Sequence, residues 1–156
     1  MSSDINTEFA LSSLVHRSAR YLDDHDFDNY LSLYSKAGTY SIITRAPELA
    51  EPMTWMQQTR AELAERIQAM TEHEWEIALI EQTRIISVDI IERKDAAAAV
   101  SSSFVLYHTA PGGVTSCYAV GRYEDSWLMS AEGWLLTQRE VVLKTRQLDV
   151  LSPLPI

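Results

Sequence analysis

The chain has 156 residues, the length of one domain, and its 46% hydrophobic and 22% charged residues suit a fold that needs neither a disulfide nor a metal. Thirteen Lys and Arg against 22 Asp and Glu give a formal charge of −9, and apart from adjacent Arg93 and Lys94 the basic residues are scattered. That pattern excludes a cationic stripe for nucleic acid. The single Cys117 excludes an internal disulfide, and Met1-Ser2-Ser3-Asp4 lacks the basic and apolar parts of a secretion signal, so the expected compartment is the cytoplasm.

Residues 7–23 are expected to form an amphipathic helix, because Leu11, Leu14, Val15, Ser18 and Leu22 recur with a period near 3.6 and Asn6 or Thr7 can cap its start. Phe27, Tyr30, Leu31 and Tyr34 predict a second, short helix capped by Asp26, with Gly38 just past its end. A strand over 39–44 and a loop broken by Pro47 and Pro52 follow. Thr59-Arg60-Ala61-Glu62 has the spacing of a capping box, and Leu63, Ile67 and Met70 line one face of the helix it opens, over 59–70. Residues 71–82 fit either a continued helix through Trp75 and Leu79 or an exposed acidic connection.

From Thr83 the residues are rich in Val, Ile, Tyr, Trp and Thr. Strands are expected over 83–92, 96–109, 114–129 and 134–150, separated by Arg93-Lys94-Asp95, Pro111-Gly112-Gly113 and Ala131-Glu132-Gly133. The charge-free stretch from Ala96 to Gly121 is thus two strands and a turn, not a membrane span. Most of these strands greatly exceed the usual length of about five or six residues, so strong twist or a bulge is expected, with Gly121 as its place. Residues 1–82 carry a net charge of −8 and residues 83–156 a net of −1, leaving the strand half nearly neutral. Helices followed by a meander predict an α+β fold in which N-terminal helices pack into a strongly curved antiparallel sheet, as a single domain over 1–156.

Chemistry-bearing residues are few. One Cys and four His cannot ligate an iron–sulfur cluster, and His16, His25, His73 and His108 never recur at helical metal spacing. Neither a glycine-rich phosphate loop nor a Gly-x-Ser-x-Gly elbow occurs. Asp23-Asp24-His25-Asp26-x-Asp28 lacks the glycine and final glutamate of a calcium loop and reads as a solvated helix junction. His108 shares a strand face with Phe104 and Leu106 and could act as a base, although a structural role is the simpler reading. Tyr21, Tyr30, Tyr34 and Tyr40 are either core residues or phenolic donors to a cavity. Cys117 is expected to be buried and inert.

The order of these features resembles the β (small) subunit of Rieske-type aromatic-ring-hydroxylating dioxygenases from about residue 8 to 150. The resemblance rests on several segments together. The run from Tyr21 to Tyr34 is similar to the family's helix, acidic turn and aromatic helix, and Leu63-Ala64-Glu65-Arg66-Ile67 resembles its Leu-x-x-Arg helix. Thr83-Arg84, Val100 to Tyr107, Tyr118-Ala119-Val120-Gly121-Arg122 and Gly133-Trp134-Leu135-Leu136 followed by Arg139 resemble its strands.

The resemblance implies a ketosteroid-isomerase-like cone, of the SnoaL and nuclear-transport-factor-2 type, that supports a larger α subunit in an α3β3 assembly with a β trimer. It places the Rieske [2Fe-2S] cluster and the mononuclear iron on the α subunit, fed from NAD(P)H through a reductase, with no cofactor on this chain. Arg84, Arg122, Tyr123, Trp127, Leu128, Trp134, Arg139 and Arg146 are then the expected interface residues. The alternatives are a stand-alone isomerase, dehydratase or cyclase on the same cone, with His108 as base and Tyr21, Tyr34 or Tyr40 as donors, and a bare dimerisation or ligand-binding module. Neither nucleic acid nor membrane is an expected partner.

Overall fold

In the computed structural model, which describes residues 2–72, 80–148 and 154–156, the first helix is α1 (Ser2–Asp23). It runs through Asn6 and Thr7, which lie inside it and do not cap it. The short helix α2 (Phe27–Ser32) starts where expected, with Asp26 accepting from the Asn29 amide at 3.3 Å. It stops before Tyr34, which opens β1 (Tyr34–Thr44), so Gly38 lies within a strand. There a Cβ would come within 3.1 Å of the Leu136 carbonyl oxygen, so the close approach of β1 to its neighbour needs glycine at this position.

The segment expected as a loop contains β2 (Met53–Thr59), which pairs with β1. The capping box follows: Glu62 accepts from the Thr59 amide at 2.7 Å, and Thr59 Oγ1 accepts from the Glu62 amide at 3.3 Å, opening α3 (Arg60–Thr71). Of the stretch with two readings, residues 73–79 lie outside the described residues, whereas Glu81 and Gln82 already belong to β3 (Glu81–Lys94). The meander continues through β4 (Ala97–Thr109), β5 (Thr115–Ser130) and β6 (Gly133–Leu143).

The sheet order is β2-β1-β6-β5-β4-β3. All neighbours are antiparallel except β1 and β6, which are parallel, so the sheet is mixed and not the purely antiparallel one expected. The chain must cross from β1 to β6 through the whole meander, and hairpin turns alone do not reveal that return. Within the β3–β6 meander, bulges fall at Val88/Ile90, Leu106/Tyr107 and Ser126/Trp127 rather than at Gly121. Gly121 answers a different need: a Cβ there would lie 2.4 Å from the Val142 carbonyl oxygen and 3.0 Å from the Phe104 ring.

One face of the sheet is covered. Leu11, Val15 and Leu22 of α1, Tyr30 of α2 and Leu63, Ile67 and Met70 of α3 join Phe104, Leu106, Tyr123, Trp127, Leu136 and Val141 in one buried cluster. Burial of each such large side chain stabilises the fold by about 1.5–3 kcal/mol. Leu154 and Ile156 belong to the same cluster. The fold is therefore α+β, with helices on one face of a six-stranded sheet.

Candidate functional site

Alternation along β5 turns Tyr123, Asp125 and Trp127 inward. Arg139 of β6 meets Asp125 there in a two-pronged pair: Oδ1 accepts from Nε and Oδ2 from Nη2, each at 2.8 Å, with both side chains fully enclosed. Arg139 Nη1 donates to Ser18 Oγ of α1 at 3.0 Å, and the guanidinium carbon stands 4.4 Å from the centre of the Tyr123 ring. That ring stacks on Phe104 at 4.4 Å. Burial raises the Asp125 carboxyl and opposes the charge on Arg139, but the two parallel bonds hold the guanidinium pKa well above its ordinary value. The pair is ionised at neutral pH, since a neutral carboxyl would strand a buried arginine charge without a counterion.

Arg84 on β3 is enclosed in the same way. Its Nη1 donates to Asp23 Oδ1 at 2.6 Å, its backbone amide to Asp23 Oδ2 at 2.9 Å, and its Nη2 to Gln82 Oε1 at 3.3 Å and to the Pro155 carbonyl at 2.6 Å. This anchors the end of α1 to the sheet. Four of the eight expected interface residues, Arg84, Tyr123, Trp127 and Arg139, therefore have side chains inside the fold. This burial has a physical cause: a large or charged side chain on an inward strand position is taken up by the chain's own core. The alternation that places Tyr123, Asp125 and Trp127 on one face is readable in the sequence. The pairings of Arg84 with Asp23 and of Arg139 with Asp125 are not, because each partner lies on another element.

The candidates for a catalytic cavity are likewise engaged. Tyr30 and Tyr34 share a hydrogen bond of 2.8 Å between their hydroxyls, and Tyr40 Oη accepts from the Ile156 amide at 3.0 Å. Burial pushes the Tyr34 and Tyr40 hydroxyls to higher pKa, with the nearby Tyr30 adding to both shifts. His108 is half-buried, 3.2 Å from Gln82 Nε2 and stacked at 3.9 Å on Tyr118. Burial and then the Arg84 charge lower its pKa. The imidazole is thus held by Gln82 and Tyr118, Tyr34 by Tyr30, and Tyr21 is half-buried at the edge of the core. Leu154 and Ile156 pack into the interior with Tyr30, Tyr34 and Tyr40.

Among the described residues no group of three His, Cys, Asp or Glu side chains converges to hold a metal. His16 bonds the Ser12 carbonyl on the exposed side of α1, His25 stacks on Phe27, and His73 lies outside the described residues. Asp23 pairs with Arg84, Asp24 with Arg20, and Asp26 caps α2, so the acidic run is a helix junction. Cys117 is exposed, contrary to expectation. The bulge pairs Tyr107 with Cys117 and Leu106 with Ala119, which turns Tyr118 inward onto His108 and leaves Cys117 on the outer face. The donor set of a Rieske cluster does not fit these positions.

The outer face has another character. Arg122 lies at the centre of a polar group: Nε donates to Glu124 Oε1 at 3.2 Å, Nη2 to Ser101 Oγ, and Nη1 stands 3.9 Å from Asp89. Ser103 and Ser87 also donate to Asp89, at 2.6 and 3.0 Å, and together with the Arg122 charge these bonds lower its pKa. Around this group Ile85 and Ile90 are 59% and 52% exposed. At the ends of β4 and β5, Leu128 and Met129 are open beside a cleft of 540 Å³ lined by Arg93, Lys94 and Ala97–Ala99. Trp134 is half-buried there, and Arg146 pairs with Glu48 at 2.6 Å on the surface.

Comparison with known proteins decides the family. Residues 17–150 match the model of the ring hydroxylating beta subunit family. The chain belongs to that family. It is 27% identical over 147 residues to the β subunit of 2-aminobenzenesulfonate 2,3-dioxygenase from Alcaligenes sp., covering 94% of this chain and 97% of that one. It is 28% identical over 155 residues to the hydroxylase β subunit of methanesulfonate monooxygenase from Methylosulfonomonas methylovora, covering 94% and 86%.

Among solved structures, one solved as the β subunit of an aromatic-ring-hydroxylating dioxygenase from Novosphingobium aromaticivorans DSM 12444 superposes with a TM-score of 0.85 at 21% identity over 100% of both chains. An NTF2-like protein with a cystatin-like fold, also from Novosphingobium aromaticivorans, gives 0.63 at 15% identity over 93% and 91%. These likenesses establish the cone fold that the family resemblance implies.

Proposed function

We propose that this chain is the non-catalytic β subunit of a multicomponent Rieske non-haem iron oxygenase that hydroxylates an aromatic compound. In this reading it is a single cytoplasmic domain that stabilises an α3β3 assembly through a β trimer. The Rieske cluster and the mononuclear iron belong to the α subunit, which receives electrons from NAD(P)H through a reductase.

The observation that carries the reading is the division of the sheet into a filled inner face and an outer face on which exposed isoleucines flank the Arg122 polar group, on a chain that belongs to the β subunit family over residues 17–150. Arg122, with one-third of its side chain exposed, and Leu128, Trp134 and Arg146 are the interface candidates left at or near the surface; Ile85, Ile90 and Met129 join them as apolar contacts. Obligate interfaces commonly bury more than about 2,000 Å², and exposed isoleucines beside an arginine provide the apolar contact and polar anchor such surfaces need. No helix among the described residues is long and apolar enough to cross a membrane.

The test is co-expression with a large (α) oxygenase subunit, with an affinity tag on this chain only. The proposal predicts co-purification of an iron–sulfur protein in equimolar amount and a light-scattering mass of three copies of each. Because both curated relatives belong to oxygenases of sulfonates, an aromatic sulfonate heads the substrate panel. A chain that purifies alone and stays monomeric would refute it.

A further inference from the structure

The peptide group that joins Pro155 to Ile156 is held at both polar ends inside the fold. Its carbonyl oxygen accepts from Arg84 Nη2 at 2.6 Å, and its N–H donates to Tyr40 Oη at 3.0 Å, both bonds buried. Arg84 lies on β3 and Tyr40 on β1, with three strands between them in the sheet. That separation is about 19 Å along a flat sheet, so the sheet must curl for both side chains to meet one planar group. The C=O and N–H of a trans peptide point in opposite directions, which lets a single amide touch both walls of the concavity.

The two walls are set by contacts that do not involve this amide. Asp23 and Gln82 fix the Arg84 guanidinium, and Tyr40 is fully buried among core side chains. Leu154 and Ile156, on either side, are 5% and 4% exposed, although residues 154–156 form neither helix nor strand. Segments outside regular structure usually run over the surface, because buried backbone must find partners. Here the partners are provided by side chains at matched positions.

We infer that the inner face of the cone carries a binding site for one secondary amide flanked by apolar groups, formed by Arg84 and Tyr40 and filled by the chain's own residues 154–156. The ligand class follows from the donors and acceptors. Arg84 already has Asp23 as counterion, so it offers a hydrogen bond rather than an unpaired charge, and Tyr40 presents an oxygen that accepts. An amide uses both, while the apolar surroundings favour branched or proline-like neighbours. Once vacated, the site takes a short apolar peptide supplied from outside.

The experiment compares the 156-residue chain with one lacking residues 154–156, each titrated with the peptide acetyl-Ser-Pro-Leu-Pro-Ile by calorimetry and thermal unfolding. The expected result is a lower Tm on deletion, recovered saturably by one peptide per chain, and no binding to the undeleted chain. A peptide whose 155–156 amide is replaced by an ester loses the N–H and should bind about 2- to 12-fold more weakly, the effect of one hydrogen bond.

Hydrogen exchange in the intact chain reads the same site without truncation. The Ile156 amide should be protected roughly 100-fold or more over an unstructured peptide, and Tyr40→Phe should lower that protection about tenfold. An unprotected Ile156 amide overturns the inference, as does a folded deletion variant that ignores the peptide.

Discussion

The two faces of the sheet use arginine differently. Arg139 and Arg84, facing inward, are fully enclosed and each holds a carboxylate of its own chain in short, directed bonds. Arg122, on the outer face, keeps one-third of its side chain open and stands next to exposed isoleucines, and Arg146, past the end of β6, keeps one-half open while pairing with Glu48. The contrast teaches that residue type alone does not mark an interface. A guanidinium on an inward position orders the core, and the same group on an outward position remains available to a partner.

The most severe way to break this contrast is to strand an inner charge. Asp125→Ala leaves Arg139 buried without its counterion and should cost about 3–5 kcal/mol of unfolding free energy in denaturant titration. Replacing both residues, as in Asp125→Leu with Arg139→Met, should recover much of that loss, because a well-packed apolar pair avoids the desolvation of both ions. Gly121→Ala tests the packing beneath them. A Cβ placed 2.4 Å from the Val142 oxygen forces β5 and β6 apart, with an expected loss of about 1–3 kcal/mol by the same measurement.

The outer face should respond in the opposite sense. Ile85→Asp or Leu128→Asp removes apolar surface already open to water, so the isolated chain should keep its stability within about 0.5 kcal/mol. Recovery of the large subunit in a tagged pull-down should nevertheless fall at least several-fold. Loss of stability in the isolated chain would mean that these residues serve the core instead.

The smallest effect concerns His108. Its pKa is lowered in the fold, first by burial and then by Arg84, so the folded state binds the proton less readily than the unfolded state. The contribution is fully present above the unfolded histidine pKa, about 6.5, and is lost as pH falls from there through the lowered folded value. His108→Gln should flatten that acid limb in stability measured from pH 7 to 5.

Much of this arrangement is legible in the sequence, for reasons that stop at identifiable points. The Thr59–Glu62 box and the Asp26 cap are local hydrogen-bond patterns, and local spacing suffices to find them. The long strands follow from composition and turn residues. The parallel return of β1 to β6 is not legible, because register between strands distant in sequence depends on tertiary packing. The fate of Arg84 and Arg139 is half legible: alternation gives their face, but the carboxylates that complete them, Asp23 at the end of α1 and Asp125 on β5, come together only when the sheet and helices dock. The exposure of Cys117 escapes a two-residue period because one bulge inverts the faces beyond it.

The most direct measurement is substrate oxidation by three purified samples under an electron supply from NAD(P)H and a reductase: this chain alone, the large subunit alone, and both together. The account predicts no turnover by this chain alone and full, durable turnover only when both are present. Oxidation of an aromatic substrate by this chain in the absence of any large subunit would contradict it.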